Sequence, residues 1–336
     1  MKKEFTMIAI ALLALSSCTE NELQEQTAAN AVAIRMGQSV QGMTTTRAVV
    51  NNGSTVTAKV LMVDGVTPAW AGVTAVTSNT IVGGSLTKRA NVSTATFVAG
   101  SKQAVGFNPT LYYDNAGKNG GSTTKSHLVA VSPDGTLNGT VVTFGTKDGT
   151  VDAMYAPVVD AGSESSPASN LDFIFAHKTT QLSFEIKITS VSGGEWDNKI
   201  VGVNSILVKS VQVPEKMDAA DGRITWTTAA DCPVPNISSA ALTSTAVAVG
   251  DPIMVQAKSQ NTIDVELSID GVPQTFSNIP LKNAVTNADL VTAIGKSHKV
   301  VLNVNEPASA TDGVVIAATA TVTPWVIGDE GKAELN

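Results

Sequence analysis

Asp-Gly recurs along this chain at 64–65, 134–135, 148–149, 221–222, 270–271 and 312–313, each time beside a short run rich in Val, Ile and Thr. That punctuation constrains the fold more than any other feature. Asp-Gly supplies the positive φ angles of a tight hairpin turn, and the flanking runs supply its strands. In Leu182-Ser-Phe184-Glu-Ile186-Lys-Ile188 apolar side chains fill one face, while Ser183, Glu185 and Lys187 fill the other. Ile263-Asp-Val265-Glu-Leu267-Ser-Ile269 repeats the pattern. Val56 to Val63 reads as a strand stopping at the hairpin dipeptide Asp64-Gly65. Only Ala284 to Ile294 approaches a 3.6-residue apolar period, and it predicts one short helix. Many short strands with turn signals between them predict an all-β fold, a sandwich or barrel with Greek-key connections.

The ends of the chain carry further strand signals. Val32, Ile34 and Met36 alternate with Ala33 and Arg35, which predicts a half-buried strand followed by a polar connection from Gly37 to Thr46. Gly313 to Trp325 reads as one extended run. Val314, Ile316, Ala318, Ala320 and Val322 belong to it, with Thr319, Thr321, Thr323 and Trp325 on the opposite face. Pro324 cannot donate to a ladder, so it suits the strand's end. The small polar stretch Gly162 to Asn170 has the composition of a linker or long loop. It divides the chain into an N-terminal domain, 31–168, and a C-terminal domain, 169–336.

The first 30 residues describe export. Lys2 and Lys3 precede the apolar run Ile8 to Leu15, too short to span a bilayer, which needs roughly 20 apolar residues. Ser16-Ser17-Cys18 follows, so residues 1–17 read as a signal peptide. Leu15-Ser16-Ser17-Cys18 resembles a bacterial lipobox, in which the cysteine becomes the first mature residue and carries acyl chains; the alternative is an ordinary secreted protein. Residues 18–30 are polar and aperiodic and read as a lipidated tether. Their start, Thr19-Glu20-Asn21-Glu22, resembles the acidic signal that sends Bacteroidetes lipoproteins to the outer face of the outer membrane.

Composition excludes several classes. The formal net charge is −7, near −8 once Lys2, Lys3 and Glu4 leave with the signal peptide, and no basic cluster suits nucleic acid. Aromatic residues are only 4%, so cores must be built from Val, Ile, Leu and Ala. With Cys18 acylated, Cys232 stands alone and no internal disulfide is available. His127, His177 and His298 are scattered, and the sequence has no metal-binding His or Cys motif, nucleophile elbow or phosphate loop. His177 reads as a structural histidine. These residues predict a non-enzymatic protein with no catalytic residue, metal site or cofactor. Trp70 and Trp196 lie beside glycines where a glycan would reach them; otherwise they plug the end of a sandwich.

Leu171-Asp-Phe-Ile-Phe-Ala-His177-Lys-Thr-Thr-Gln-Leu182-Ser-Phe-Glu-Ile186 resembles the strand-entry motif of the fimbrillin family, the Bacteroidetes type V pilins. The lipobox, the early Thr46-Arg47-Ala48 and the late apolar strand ending at Trp325 fit the same family and spread the resemblance over the whole chain. The family implies two tandem transthyretin-like β-sandwich domains and export as a lipoprotein. In polymerising members it further implies cleavage after an arginine and replacement of the lost first strand by a neighbouring subunit's strand. Carried over, Arg47 and Ala48 flank the cut, Val32 to Met36 is the strand removed, and Val314 to Val326 is the donor. The implied partners are other fimbrial subunits, outer-membrane lipid through Cys18, and a surface receptor. A non-polymerising glycan-binding lipoprotein using Trp70 or Trp196 is the alternative reading.

Overall fold

The computed structural model describes residues 31–40, 53–100, 104–114, 122–190, 194–196, 199–238, 241–307 and 314–324. Among them every regular element is a strand. The signal peptide, Cys18, the tether, Arg47, Ala48 and Trp325 lie outside the described residues.

Two large rolled sheets form the body. The first orders its seven strands Gly37–Val40, Asp172–His177, Met154–Asp160, Ser126–Ser132, Thr55–Asp64, Val92–Val98 and Gly106–Asn108. Val60, Met62, Leu128, Ala130, Met154, Phe173 and Phe175 pack inside it, with Ile34 and Met36. The rings of Phe97 and Phe175 stack there with centroids 5.2 Å apart. The second orders its eight strands Ala230–Pro233, Val201–Val211, Thr262–Ile269, Val272–Asn283, Val315–Pro324, Lys296–Asn305, Thr180–Thr189 and Val247–Val255. The alternating runs read from the sequence turn their apolar faces inward here: Leu182, Phe184, Ile186, Ile188, Ile263, Val265, Leu267 and Ile269 are all buried. Each such side chain contributes about 1.5–3 kcal/mol by leaving water.

A third sheet joins the halves. The hairpin strands Thr136–Asn138 and Val141–Thr143 come from the first half, and Pro214–Asp218 and Arg223–Trp226 from the second. They meet where Met217 pairs antiparallel with Val142. This small sheet covers the outer face of the first: Val142, Phe144, Met217 and Ala219 pack on Leu61, Val129, Val131 and Tyr155. Hence Val60-Leu61-Met62-Val63 is a continuous apolar run, since both of its faces are buried. Gly222, at φ 71°, closes the second hairpin, and a Cβ there would lie 2.5 Å from the Tyr155 ring.

Four local expectations change. Asp64-Gly65 opens an excursion through residues 66–91, because strand Thr55–Asp64 pairs with Val92–Val98. Asp270-Gly271, by contrast, is a true two-residue hairpin with φ of 51° and 80°. Residues 284–294 form no helix. The side chain of Asn283 accepts the amides of Val285 and Thr286, turning the chain sharply, and Leu290 then donates back to Leu281. The linker-like stretch 162–170 contains a short ladder, Gly162–Ser163 with Ser166–Pro167. Pairing passes from the first sheet to the second between His177 and Thr180, since Asp172–His177 is a strand of the first. Finally, the expected strand 32–36 continues: Gly37 to Val40, read as loop, is its regular part.

Candidate functional site

The leading segment, residues 31–40, closes the first sheet upon itself. Gly37 to Val40 run parallel to Asp172 to Phe175 at one edge, and Gly37 also donates to the carbonyl of Leu171 at 2.7 Å. On the other side the Ile34 amide donates to Leu111 at 2.8 Å, while Met36 and Val32 accept from Val105 at 2.8 Å and Tyr113 at 3.0 Å. Ile34, Met36, Gln38 and Val40 point inward and are buried, whereas Arg35 and Ser39 face solvent. The period of two is therefore carried through to Val40. Gln38 escaped the sequence reading because an amide does not look like a core residue; its spacing from Ile34 and Met36 was the available signal.

The segment thus occupies a slot with hydrogen-bonding edges on both sides and an apolar floor. Withdrawing it would bare two sets of ladder groups and the places of three apolar side chains, the surface that a new strand can fill. The closing strand Val315–Pro324 has a comparable setting in the second sheet. It runs antiparallel to Lys296–Asn305 along its whole length, and at Ala318–Ala320 parallel to Leu281–Asn283. Ala318 and Ala320 are buried, Val314 and Ile316 lean on the same core, and Val322 pairs with His298.

The three histidines are buried, and each meets different partners. His177 holds Asp152 through Nδ1 at 2.8 Å where the chain leaves the first sheet, with both side chains 2% exposed. The Thr179 hydroxyl reaches the same carboxylate oxygen at 3.5 Å. His127 Nε2 lies 3.1 Å from the Gly65 carbonyl. Burial pulls the His298 imidazole down to about 4. Cys232 is buried at the junction, donates to the Asp148 carbonyl at 3.5 Å, and has its thiol pushed up to about 11 by burial and by Asp148. Among the described residues no three His, Cys, Asp or Glu side chains converge as metal ligands.

Trp196 packs into the second core and is only 7% exposed, so its ring offers packing rather than a platform. Trp70 is half-buried against the junction core, in the excursion that borders a cleft of about 350 Å³ lined by Asp64, Val73, Arg89 and Asn91. Asp64 and Arg89 pair with each other there, and Asn91 accepts the amide of Val76, so the lining polar groups serve the protein itself. The two tryptophans lie in different cores and form no common surface.

The described residues thus form an all-β architecture of two rolled sheets, with the leading segment completing the first and the closing strand lying within the second. Residues 46–325 match the family model described as fimbrillin-like, and the chain belongs to that family. Among solved structures it is similar to a candidate cell adhesion protein from Bacteroides uniformis ATCC 8492, with 16% identity and a TM-score of 0.50 over 88% of this chain and 98% of that one. It is also similar to a fimbrial protein from Bacteroides vulgatus ATCC 8482, at 12% identity and a TM-score of 0.44 over 87% and 99% of the two chains. A fimbrilin from Porphyromonas gingivalis W83 shows 11% identity and a TM-score of 0.42 over 89% and 98%. At 16% identity the first of these likenesses concerns the fold alone. No curated protein matches the sequence.

Proposed function

We propose that this chain is a fimbrial subunit displayed on the outer membrane, anchored through acylated Cys18 and assembled by strand exchange. Cleavage after Arg47 frees the leading segment, and a strand from another subunit takes its place. The observation that carries this reading is the seam itself: residues 31–40 complete the first sheet from both sides, and Arg47 follows them by a few residues. The closing strand, with Val314, Ile316, Ala318, Ala320 and Val322, is the candidate to be donated onward. Membership of the fimbrillin-like family supports the role, and the buried histidines and paired charges support a structural rather than an enzymatic chain.

N-terminal sequencing of protein recovered from the cell surface tests the reading. A mature N-terminus at Ala48, together with SDS-resistant ladders after mild arginine-specific proteolysis, is the expected outcome. A monomer that keeps lipidated Cys18 and an intact Arg47 would overturn the assembly step.

A further inference from the structure

One of the four inward side chains of the leading segment is polar. Gln38 is wholly buried between the places of Met36 and Val40. Its Nε2 donates to the Val98 carbonyl at 3.0 Å. The contact crosses the seam: Gln38 pairs through its backbone with Phe173 on one side, whereas Val98 ends a strand on the other. An apolar side chain would fill this space without needing a partner, so the amide serves something besides burial. A slip of two residues keeps the inward face inward and so is the slip that burial alone cannot prevent. It would set Met36 or Val40 against the Val98 carbonyl and leave the Gln38 amide on an apolar wall. Leaving a buried amide unpaired disfavours the slipped register about tenfold to a hundredfold. One polar side chain in an apolar seam fixes register in the same way within coiled coils.

Resting on the strand-exchange reading above, we infer that Gln38 and the Val98 carbonyl form a register key. An incoming strand is selected by a side-chain hydrogen-bond donor at this position, flanked by apolar residues two places to either side. The closing strand of this chain lacks that pattern. Its inward residues Val314, Ile316, Ala318 and Ala320 are all apolar, and its other face places Thr319 and Thr321 in succession. The partner that fits the slot is therefore a strand of another subunit with the pattern apolar, apolar, amide, apolar at every second residue, and not the closing strand of a second copy of this chain.

The test uses the full chain with a protease site engineered between residues 41 and 52, cut after folding and challenged with synthetic peptides. Each peptide carries a photo-cross-linker at an outward position. In the native 31–40 sequence this is position 39, because Ser39 is exposed and pairs with Ile174. The native peptide should label one site, at Ile174. The Gln38→Leu peptide should spread its label to Asp172 and Ala176, and a 314–324 peptide should show no single site. A single site for Gln38→Leu overturns the key while leaving strand exchange intact. A 314–324 peptide seated as uniquely as the native one overturns the exclusion of the closing strand as donor. Failure of the native peptide to enter at all overturns the exchange reading, and this inference with it.

Discussion

His298 ties stability to pH in a way that can be worked through. It is wholly buried on strand Lys296–Asn305, in register with Leu182 on one neighbouring strand and Val322 on the other. Nε2 accepts the Ala293 amide at 3.4 Å, and Nδ1 has no partner among the described residues. No carboxylate is hydrogen-bonded to the ring to stabilise an added proton, and burial holds the imidazole at about 4. In the unfolded chain the ring titrates near 6.5. Between these values the unfolded state binds a proton that the native state refuses, so stability is intact above pH 6.5 and falls as pH falls. The loss is about 2 kcal/mol at pH 5 and about 3 kcal/mol at pH 4. Replacing His298 with Met puts an apolar side chain of similar bulk in its place and removes the titration. Urea unfolding of both proteins at pH 7, 6, 5 and 4 supplies the comparison. Absolute stability will differ between them, so the slope against pH is what counts. Carboxylates held low by hydrogen bonds, such as Asp160 with Lys125 and Asp231 with Lys209, are common to both and cancel. Parallel slopes for the two proteins would refute the argument.

Three further outcomes are expected. Met36→Ala, at a buried position of the leading segment, should cost about 2–5 kcal/mol in urea unfolding, while Ser39→Ala on its exposed side should change almost nothing. Asp152→Ala removes the hydrogen-bond partner of His177 Nδ1 and should cost about 1–3 kcal/mol; because the pair sits where the chain changes sheets, calorimetry should also show the single transition broadening or splitting. Cys232, with its thiol near 11, should resist a thiol reagent at pH 8 in the native protein and react fully once unfolded.

Much of the fold was legible because period-two patterning is a direct statement about faces. Leu182 to Ile188 and Ile263 to Ile269 alternate in sequence and alternate in burial. Asp270-Gly271 declared its turn because both central residues need positive φ. What stayed hidden depends on partners distant in sequence. Nothing local to Val141–Thr143 announces that Pro214–Asp218 will pair with it, and both runs are too short for a period. The false helix at 284–294 arose from spacing alone: Leu290 and Thr292 are buried, but Val285, Val291 and Ile294 are exposed, so the apolar residues never share a face. Trp196 looked accessible beside its glycines, yet its backbone amide binds the carboxylate of Glu306, and that anchor draws the ring into the core. At the seam, the apolar half of the pattern was readable and the polar half was not, because Gln38 finds its partner 60 residues away.

The parallel ladder between Gly37–Val40 and Asp172–Phe175 also has a consequence for biosynthesis. The segment that seals the first sheet is among the earliest parts of the described chain to emerge, and the edge it must dock on is among the last strands of that sheet to follow. A contact of such long separation forms late and slowly. A chain in which that contact forms last would hold the slot built but empty, with its own segment still outside. For a subunit that assembles by strand exchange as proposed, that interval is a hazard as well as an opportunity. A polar key that admits one register, and admits few foreign sequences, protects the newborn subunit from being filled too soon.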